Sequence, residues 1–248
     1  MNEIRENKAA RHPLIYVFGV LGFFTFLATG YFLQLVSDPQ KFPIKKIAVD
    51  GEFLNLQPAA VEELVSGAVV GGFFNLDVEH LQGKILTNPW IESVSVRRIW
   101  PDSIRVSIRE QDPVAYWGKH ALLNEQADIF APPEISRDAP LVHLSGPIGT
   151  EGMVLEQYWR LAQLLSEIGM KISTLEMNER RSWRVTTTSG IIIKLGRDHL
   201  PEKLGRLKTA YRNIPAGQWQ QVSMVDLRYT NGLTVRRDRA ADEQIAAG

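Results

Sequence analysis

Residues 14–36, LIYVFGVLGFFTFLATGYFLQLV, carry no charged side chain over 23 residues. At about 1.5 Å rise per residue, a helix of this length reaches about 35 Å, enough to cross a hydrocarbon core of about 30 Å with some tilt. The buried helix of a soluble protein rarely runs so long without a charge. A cleaved leader has a shorter apolar region, about 7–15 residues, and a small-residue cleavage site. Gln34-Leu35-Val36-Ser37 offers no such site. The run therefore reads as a transmembrane helix. Arg5, Lys8 and Arg11 precede it, and short basic flanks stay in the cytoplasm. Residues 1–13 are expected inside the cell and everything after the helix outside it. Tyr16, Thr25, Thr29 and Gln34 are the most polar side chains of the span, so no ionisable group marks an ion or proton path. Gly19, Gly22 and Gly30 lack the spacing of a tight helix-pairing motif. The helix reads as an anchor.

The chain as a whole shows no global field. Formal net charge is zero and the pI is about 7.0, so neither a nucleic-acid-binding charge nor an acidic shell is indicated. There is no cysteine, which excludes disulfides and thiolate chemistry.

Beyond a polar link at 37–42, the pattern predicts a strand at 44–49 stopped by Asp50-Gly51, then a short helix at 58–65 with Pro58 in its first turn. Asp77 is placed to cap a second helix whose buried stripe is Val78, Leu81 and Ile85. Residues 90–99 and 103–109 then alternate around a turn at Trp100-Pro101-Asp102. Val94, Val96, Ile104, Val106 and Ile108 are expected to face a core, with Arg105 and Arg109 in water. The order is β-α-α-β-β. Arg97, Arg98, Arg105 and Arg109 read as a basic face, either simply solvated or offered to partners and anionic headgroups. Trp90 and Trp100 are expected to pack the core and turn.

Asp112-Pro113 marks a boundary. Strands are expected at 114–117, 121–124, 141–144, 172–177, 183–187, 191–195, 222–229 and 233–237, with helices at 154–168 and 201–211. Asn231-Gly232 between the last two strands signals a hairpin. The last strand has no later strand to pair with, so its edge is expected to be free. The tail at 238–248 reads as disordered.

The unit containing NPWIESVSVRRIWPDSIRVSIREQDPVAYW resembles a POTRA domain. With the membrane helix, the downstream β-rich part, and the motifs RRSW at 180–183, LGR at 195–197 and VDLRYTNG at 225–232, the chain resembles the bacterial FtsQ/DivIB family. The resemblance implies an α+β fold: a single N-terminal transmembrane helix (14–36), a POTRA domain (43–112), then a mixed, mainly antiparallel β domain with flanking helices (113–237). It implies an inner-membrane protein with its bulk in the periplasm, found at the division septum. It also implies a divisome scaffold that links early and late division proteins and regulates septal peptidoglycan synthesis. FtsB and FtsL are the implied partners, with FtsK, FtsW and FtsI as further ones. The implied FtsB-type edge comprises Arg180, Arg228, Tyr229, Asn231, Gly232, Leu233 and Val235. Arg97, Arg105 and Arg109 form the implied POTRA surface. Two departures stand out: Asn124 and Ala127 occupy a turn where an Asp and a Gly are usual, and Arg236-Arg237 replace a common aromatic.

No catalytic constellation accompanies these features. His12, His80, His120, His143 and His199 form no metal-ligand spacing. Ser145-Gly146 lacks a nucleophile-elbow pattern, and Gly67, Gly71 and Gly72 lack a phosphate-loop pattern. No cofactor is expected. A membrane-anchored periplasmic enzyme of cell-wall metabolism is one competing reading, which a pair of carboxylates in a cleft would favour. A POTRA-type translocation or assembly factor is another.

Overall fold

The computed structural model describes residues 12–36, 38–135, 140–229 and 232–237. The expectations for residues 1–11, Asn231 and the tail from 238 lie outside them. The described chain divides into two units, 1–110 and 111–248.

In the first unit, helix α1 (His12–Val36) contains a 20-residue stretch, Tyr16–Leu35, that is long and apolar enough to cross a membrane and has none of its apolar window buried. Its hydroxyls are satisfied internally. Thr25 donates to the carbonyls of Leu21 (3.0 Å) and Gly22 (2.8 Å), and Thr29 to that of Thr25 (2.8 Å). Such back-bonding suits a medium that offers no water.

After the link come β1 (Lys46–Asp50), α2 (Pro58–Ala68), α3 (Val78–Ile85), β2 (Ile91–Ile99) and β3 (Ser103–Glu110). The sheet order is β1-β3-β2, with β1 parallel and β2 antiparallel to the central β3. Asp77 caps α3 by accepting the amide of His80 at 2.9 Å. The helices lie over one face of the sheet. Val61, Val65, Leu81 and Ile85 share a core with Ile91, Ile104, Val106 and Ile108. Val94 and Val96 sit on the same face but are only half-buried; among the described residues β2 is an edge strand of this sheet. The far end is closed by Glu110, whose carboxylate accepts the amides of Leu54 and Asn55, both at 2.8 Å.

Two expectations for this unit are corrected. Arg98 does not belong to the basic face. It follows Val94 and Val96 in the alternation, and its guanidinium donates to the Leu76 carbonyl at 2.7 Å, on the helix side. Trp100 does not pack the turn: it is 78% exposed.

The second unit is a nine-stranded sheet. Its elements are β4 (Pro113–Trp117), β5 (Ala121–Asn124), β6 (Ile129–Phe130), β7 (Val142–Ser145), α4 (Glu151–Ser166), β8 (Ile172–Met177), β9 (Trp183–Thr187), β10 (Ile192–Gly196), α5 (Leu200–Asn213), α6 (Ala216–Trp219), β11 (Val222–Asp226) and β12 (Thr234–Arg237). The strand order is β12-β11-β10-β9-β8-β7-β4-β5-β6. Pairs β10–β11, β4–β7 and β7–β8 are parallel and the rest antiparallel. The fold is thus mixed α+β. Leu161 and Leu165 of α4, Leu204 and Leu207 of α5 and Trp219 of α6 enter one core with Leu144, Leu175, Val185, Ile193 and Val225. Strand β6 and helix α6 were not anticipated, since two and four residues are too short for a period to register.

The Asn124–Asp128 turn shows how one departure from the family pattern is accommodated. Ala127 adopts a left-handed φ of 64°. The buried Asn124 side chain closes the turn, accepting from the Asp128 amide at 2.8 Å and donating to Gln111 Oε1 at 3.0 Å.

Candidate partner-binding edge

Among the described residues, strand β12 pairs with β11 alone and ends the sheet. In its register Val225 faces Val235 and Asp226 faces Thr234. Leu233 and Val235 are half-buried and pack against the core, while Thr234 and Arg236 are exposed. The alternation fixes the strand on its inner face, and among the described residues no strand neighbours its other backbone edge.

The approach to this edge differs from a tight Asn-Gly hairpin. Strand β11 ends at Asp226 and β12 begins at Thr234, so seven residues separate the two strands rather than two. The first part of this connection still belongs to the sheet, because the Leu227 amide donates to the Lys194 carbonyl at 2.8 Å. Gly232 is exposed; Asn231 is not among the described residues. Tyr229 is 58% exposed at the mouth of the connection. Its backbone is tied down, since Arg206 of α5 donates to the Tyr229 carbonyl at 3.1 Å. An aromatic held by its main chain with its ring in water suits an anchor that loses little entropy on binding.

Arg228 is tied to Asp226. Its Nε lies 2.9 and 3.0 Å from the two carboxylate oxygens, its terminal nitrogen 2.6 Å from Oδ2, and its amide 3.0 Å from Oδ1. The guanidinium hydrogen bonds hold the buried Asp226 carboxyl below the ordinary carboxylate range, with Lys194 adding a weaker attraction.

Arg180 lies in the turn between β8 and β9. Asn178 organises that turn, its Oδ1 accepting the amides of Arg180 (3.0 Å) and Ser182 (2.9 Å), and Arg181 takes a positive φ of 57°. The topology brings this turn and the β12 approach together. Strand β10 is antiparallel to β9 and parallel to β11, so the β8–β9 turn and the ends of β10 and β11 share one rim of the sheet. A recess there is lined by Asn178, Ser182, Arg184, Lys194 and Arg228.

The sequence reading missed part of this rim: Lys194, Lys203 and Arg206. Lys203 is 7% exposed and donates to the Leu195 carbonyl at 2.8 Å. Gly196, at φ +75°, makes room for it, since a Cβ there would lie 3.2 Å from the Lys203 Nζ and 3.4 Å from the Arg228 Cγ. The LGR motif and the periodicity of the following helix were the available signals.

The POTRA surface residues form a looser group. Arg97 and Arg105 sit opposite each other in the β2–β3 register. Arg105 pairs with Asp50 at 3.4 Å and Arg109 with Glu92 at 2.9 Å, so the face is less basic than its sequence suggests. Neither unit groups three or more His, Cys, Asp or Glu side chains in a metal-binding cluster among the described residues.

Two family models cover most of the chain: the POTRA domain, FtsQ-type, over residues 42–111, and the cell division protein FtsQ/DivIB, C-terminal, over 115–228. A cell division protein FtsQ of Shewanella oneidensis is 34% identical over 219 residues, 87% of this chain and 82% of the relative. The chain belongs to the FtsQ/DivIB family of cell division proteins. A Cellvibrio japonicus FtsQ is 37% identical over 78% of this chain and 60% of its own length, so it has substantial sequence beyond the match. A Coxiella burnetii FtsQ is 28% identical over 94% of both chains. For this family member the matched span includes Arg180 and Arg228, whereas Tyr229, Leu233 and Val235 fall just past the C-terminal model.

Proposed function

We propose that the protein is a non-catalytic scaffold of the division machinery, linking early and late division proteins and helping to regulate septal peptidoglycan synthesis. Residues 14–36 anchor it in the inner membrane, with residues 1–13 in the cytoplasm, and it gathers at the septum. The POTRA domain (43–112) and the β domain (113–237) work in the periplasm. FtsB and FtsL bind the β domain, and FtsK, FtsW and FtsI are further partners. Arg97, Arg105 and Arg109 of the POTRA face contribute to recruitment.

The observation that carries this reading is β12, which among the described residues ends the sheet and is paired on one side only, with Tyr229 near its start. An extended segment of FtsB adds to this edge. Main-chain bonds supply affinity, and Arg180, Arg228, Tyr229, Asn231, Gly232, Leu233 and Val235 supply selectivity. Membership of a family of cell division proteins supports a binding role over the enzyme alternative.

Proline scanning through 233–237 tests it. Only alternate residues turn their amides away from β11, so loss of FtsB capture is expected to follow a period of two in variants that stay folded. Uniform tolerance, or loss that tracks unfolding, would place the partner elsewhere.

A further inference from the structure

The end of the POTRA unit nearest the membrane helix carries exposed aromatic and aliphatic side chains that the scaffold reading does not use. Phe42 follows the last residue of α1, Val36, by six positions. Even fully extended, six residues span only about 20 Å. The link is also folded back, since the amides of Lys41 and Phe42 donate to the Asp38 carbonyl at 3.1 and 3.4 Å. Whatever surrounds Phe42 therefore lies close to the point where the chain leaves the helix.

Three segments converge there. The loop after α2 is tied to the link, because the Phe73 amide donates to the Phe42 carbonyl at 2.8 Å and the two rings flank Phe74 at 5.1 and 5.2 Å. Only glycine fits at 72, where a Cβ would lie 2.7 Å from the Phe42 carbonyl oxygen and 2.9 Å from the Pro39 Cα. The β2–β3 turn joins through Lys45, whose amide donates to the Asp102 carbonyl at 2.8 Å and whose ammonium lies 3.3 Å from the Asp102 carboxylate. Arg98 links that strand end to Leu76 at 2.7 Å. The exposed residues on these segments are Trp100 (78%), Val70 (65%), Phe74 (44%) and Ile99 (39%). Exposed Lys41, Lys45, Lys46 and Arg98 lie on these segments and strand ends, with Lys41 4.0 Å from the Asp38 carboxylate.

We propose that this rim seats in the headgroup region of the bilayer and fixes how the POTRA unit stands on the membrane. Tryptophan at a turn tip, flanking phenylalanine and surrounding cations are the composition that membrane–water interfaces favour. Anionic headgroups take the cations, and the acyl boundary takes the rings. The occupant is lipid because the chain length holds the rim at the bilayer. The inference rests on α1 spanning the membrane.

The absence of cysteine makes a direct test available. Single-cysteine variants Phe24→Cys, Leu54→Cys, Phe74→Cys and Trp100→Cys of the full chain are spin-labelled in nanodiscs of phosphatidylethanolamine and phosphatidylglycerol. Relaxation by oxygen is then compared with relaxation by a water-soluble nickel chelate. Leu54 is the aqueous reference: it is 93% exposed and bonded to Glu110 at the far end of β3. The oxygen-to-nickel ratio at 74 and 100 is expected to exceed that at 54 severalfold. Ratios at 74 and 100 equal to that at 54, with position 24 deep in lipid, would overturn the inference and leave the rim to a protein partner. A water-exposed label at 24 would overturn the membrane span and this inference with it.

Discussion

At the scale of single residues, Tyr229 and Asp226 have different work. Tyr229 keeps its ring in water while Arg206 holds its carbonyl, so truncating the ring removes binding surface without opening the core. Tyr229→Ala is expected to weaken FtsB capture about thirtyfold, roughly 2 kcal/mol, with an unchanged melting temperature; titration and thermal melts check both. Asp226 acts on stability. Its folded carboxyl titrates below the ordinary range because Arg228 hydrogen-bonds the charged form. Its contribution is therefore present above the unfolded carboxylate pKa, about 3.9, and is lost as pH falls through the lower folded value. Asp226→Asn is expected to lose less stability than the parent as pH falls below the unfolded carboxylate range, as denaturant titrations at each pH would show. Ala127, held at φ 64°, reports on the turn chemistry. Ala127→Gly relieves left-handed strain and is expected to stabilise the chain by about 0.5–1 kcal/mol net of glycine's entropy. Of these residues, Tyr229 was legible in the VDLRYTNG motif. The Arg228–Asp226 fork was not, since pairing two residues apart depends on how the strand end turns.

At the scale of elements, hydrophobic periodicity located nearly every strand and, at its helical spacing, α4 and α5, and the alternation identified the face of β3 that is buried. Val106 lies fully buried on that strand. Val106→Asp is expected to unfold the POTRA unit, because an unpaired carboxylate there has no partner and no water. Arg105→Glu is expected to leave the fold intact, since the Arg105–Asp50 pair is about half exposed and such pairs contribute roughly 0–1 kcal/mol. Circular dichroism of the two variants separates the cases. If Arg105→Glu and its neighbours on that face leave midcell localisation unchanged, the surface is merely solvated. Arg98 shows the limit of reading charge by composition. Alternation groups it with Val94 and Val96, and its long stem lets the guanidinium reach the Leu76 carbonyl. Trp100 shows the converse: its size suggests a core, but a turn tip has no layer above it.

At the scale of the whole molecule, the uncharged run at 14–36 and its basic flank predict that everything beyond the helix is extracytoplasmic. Alkaline phosphatase fused after Phe42 is expected to be active in cells, and a fluorophore that matures only in the cytoplasm is expected to be dark at the same site. The opposite pattern would reverse the topology and remove both the septal partners and the outer-leaflet seat of the aromatic rim.

The sequence alone determined the long apolar helix, the β-α-α-β-β unit, most strands beyond it and the family, because each rests on local periodicity or a contiguous motif. Only the tertiary structure decided the strand order. β7 lies between β4 and β8, and β11 pairs in parallel with β10. Nothing in a strand's own alternation names its neighbour. That order places the Arg180 turn on the same rim as Arg228 and, among the described residues, leaves β12 with one partner. The gathering of Phe42, Phe74 and Trp100 at one end likewise came from long-range hydrogen bonds that join segments tens of residues apart, and residue type does not encode those bonds.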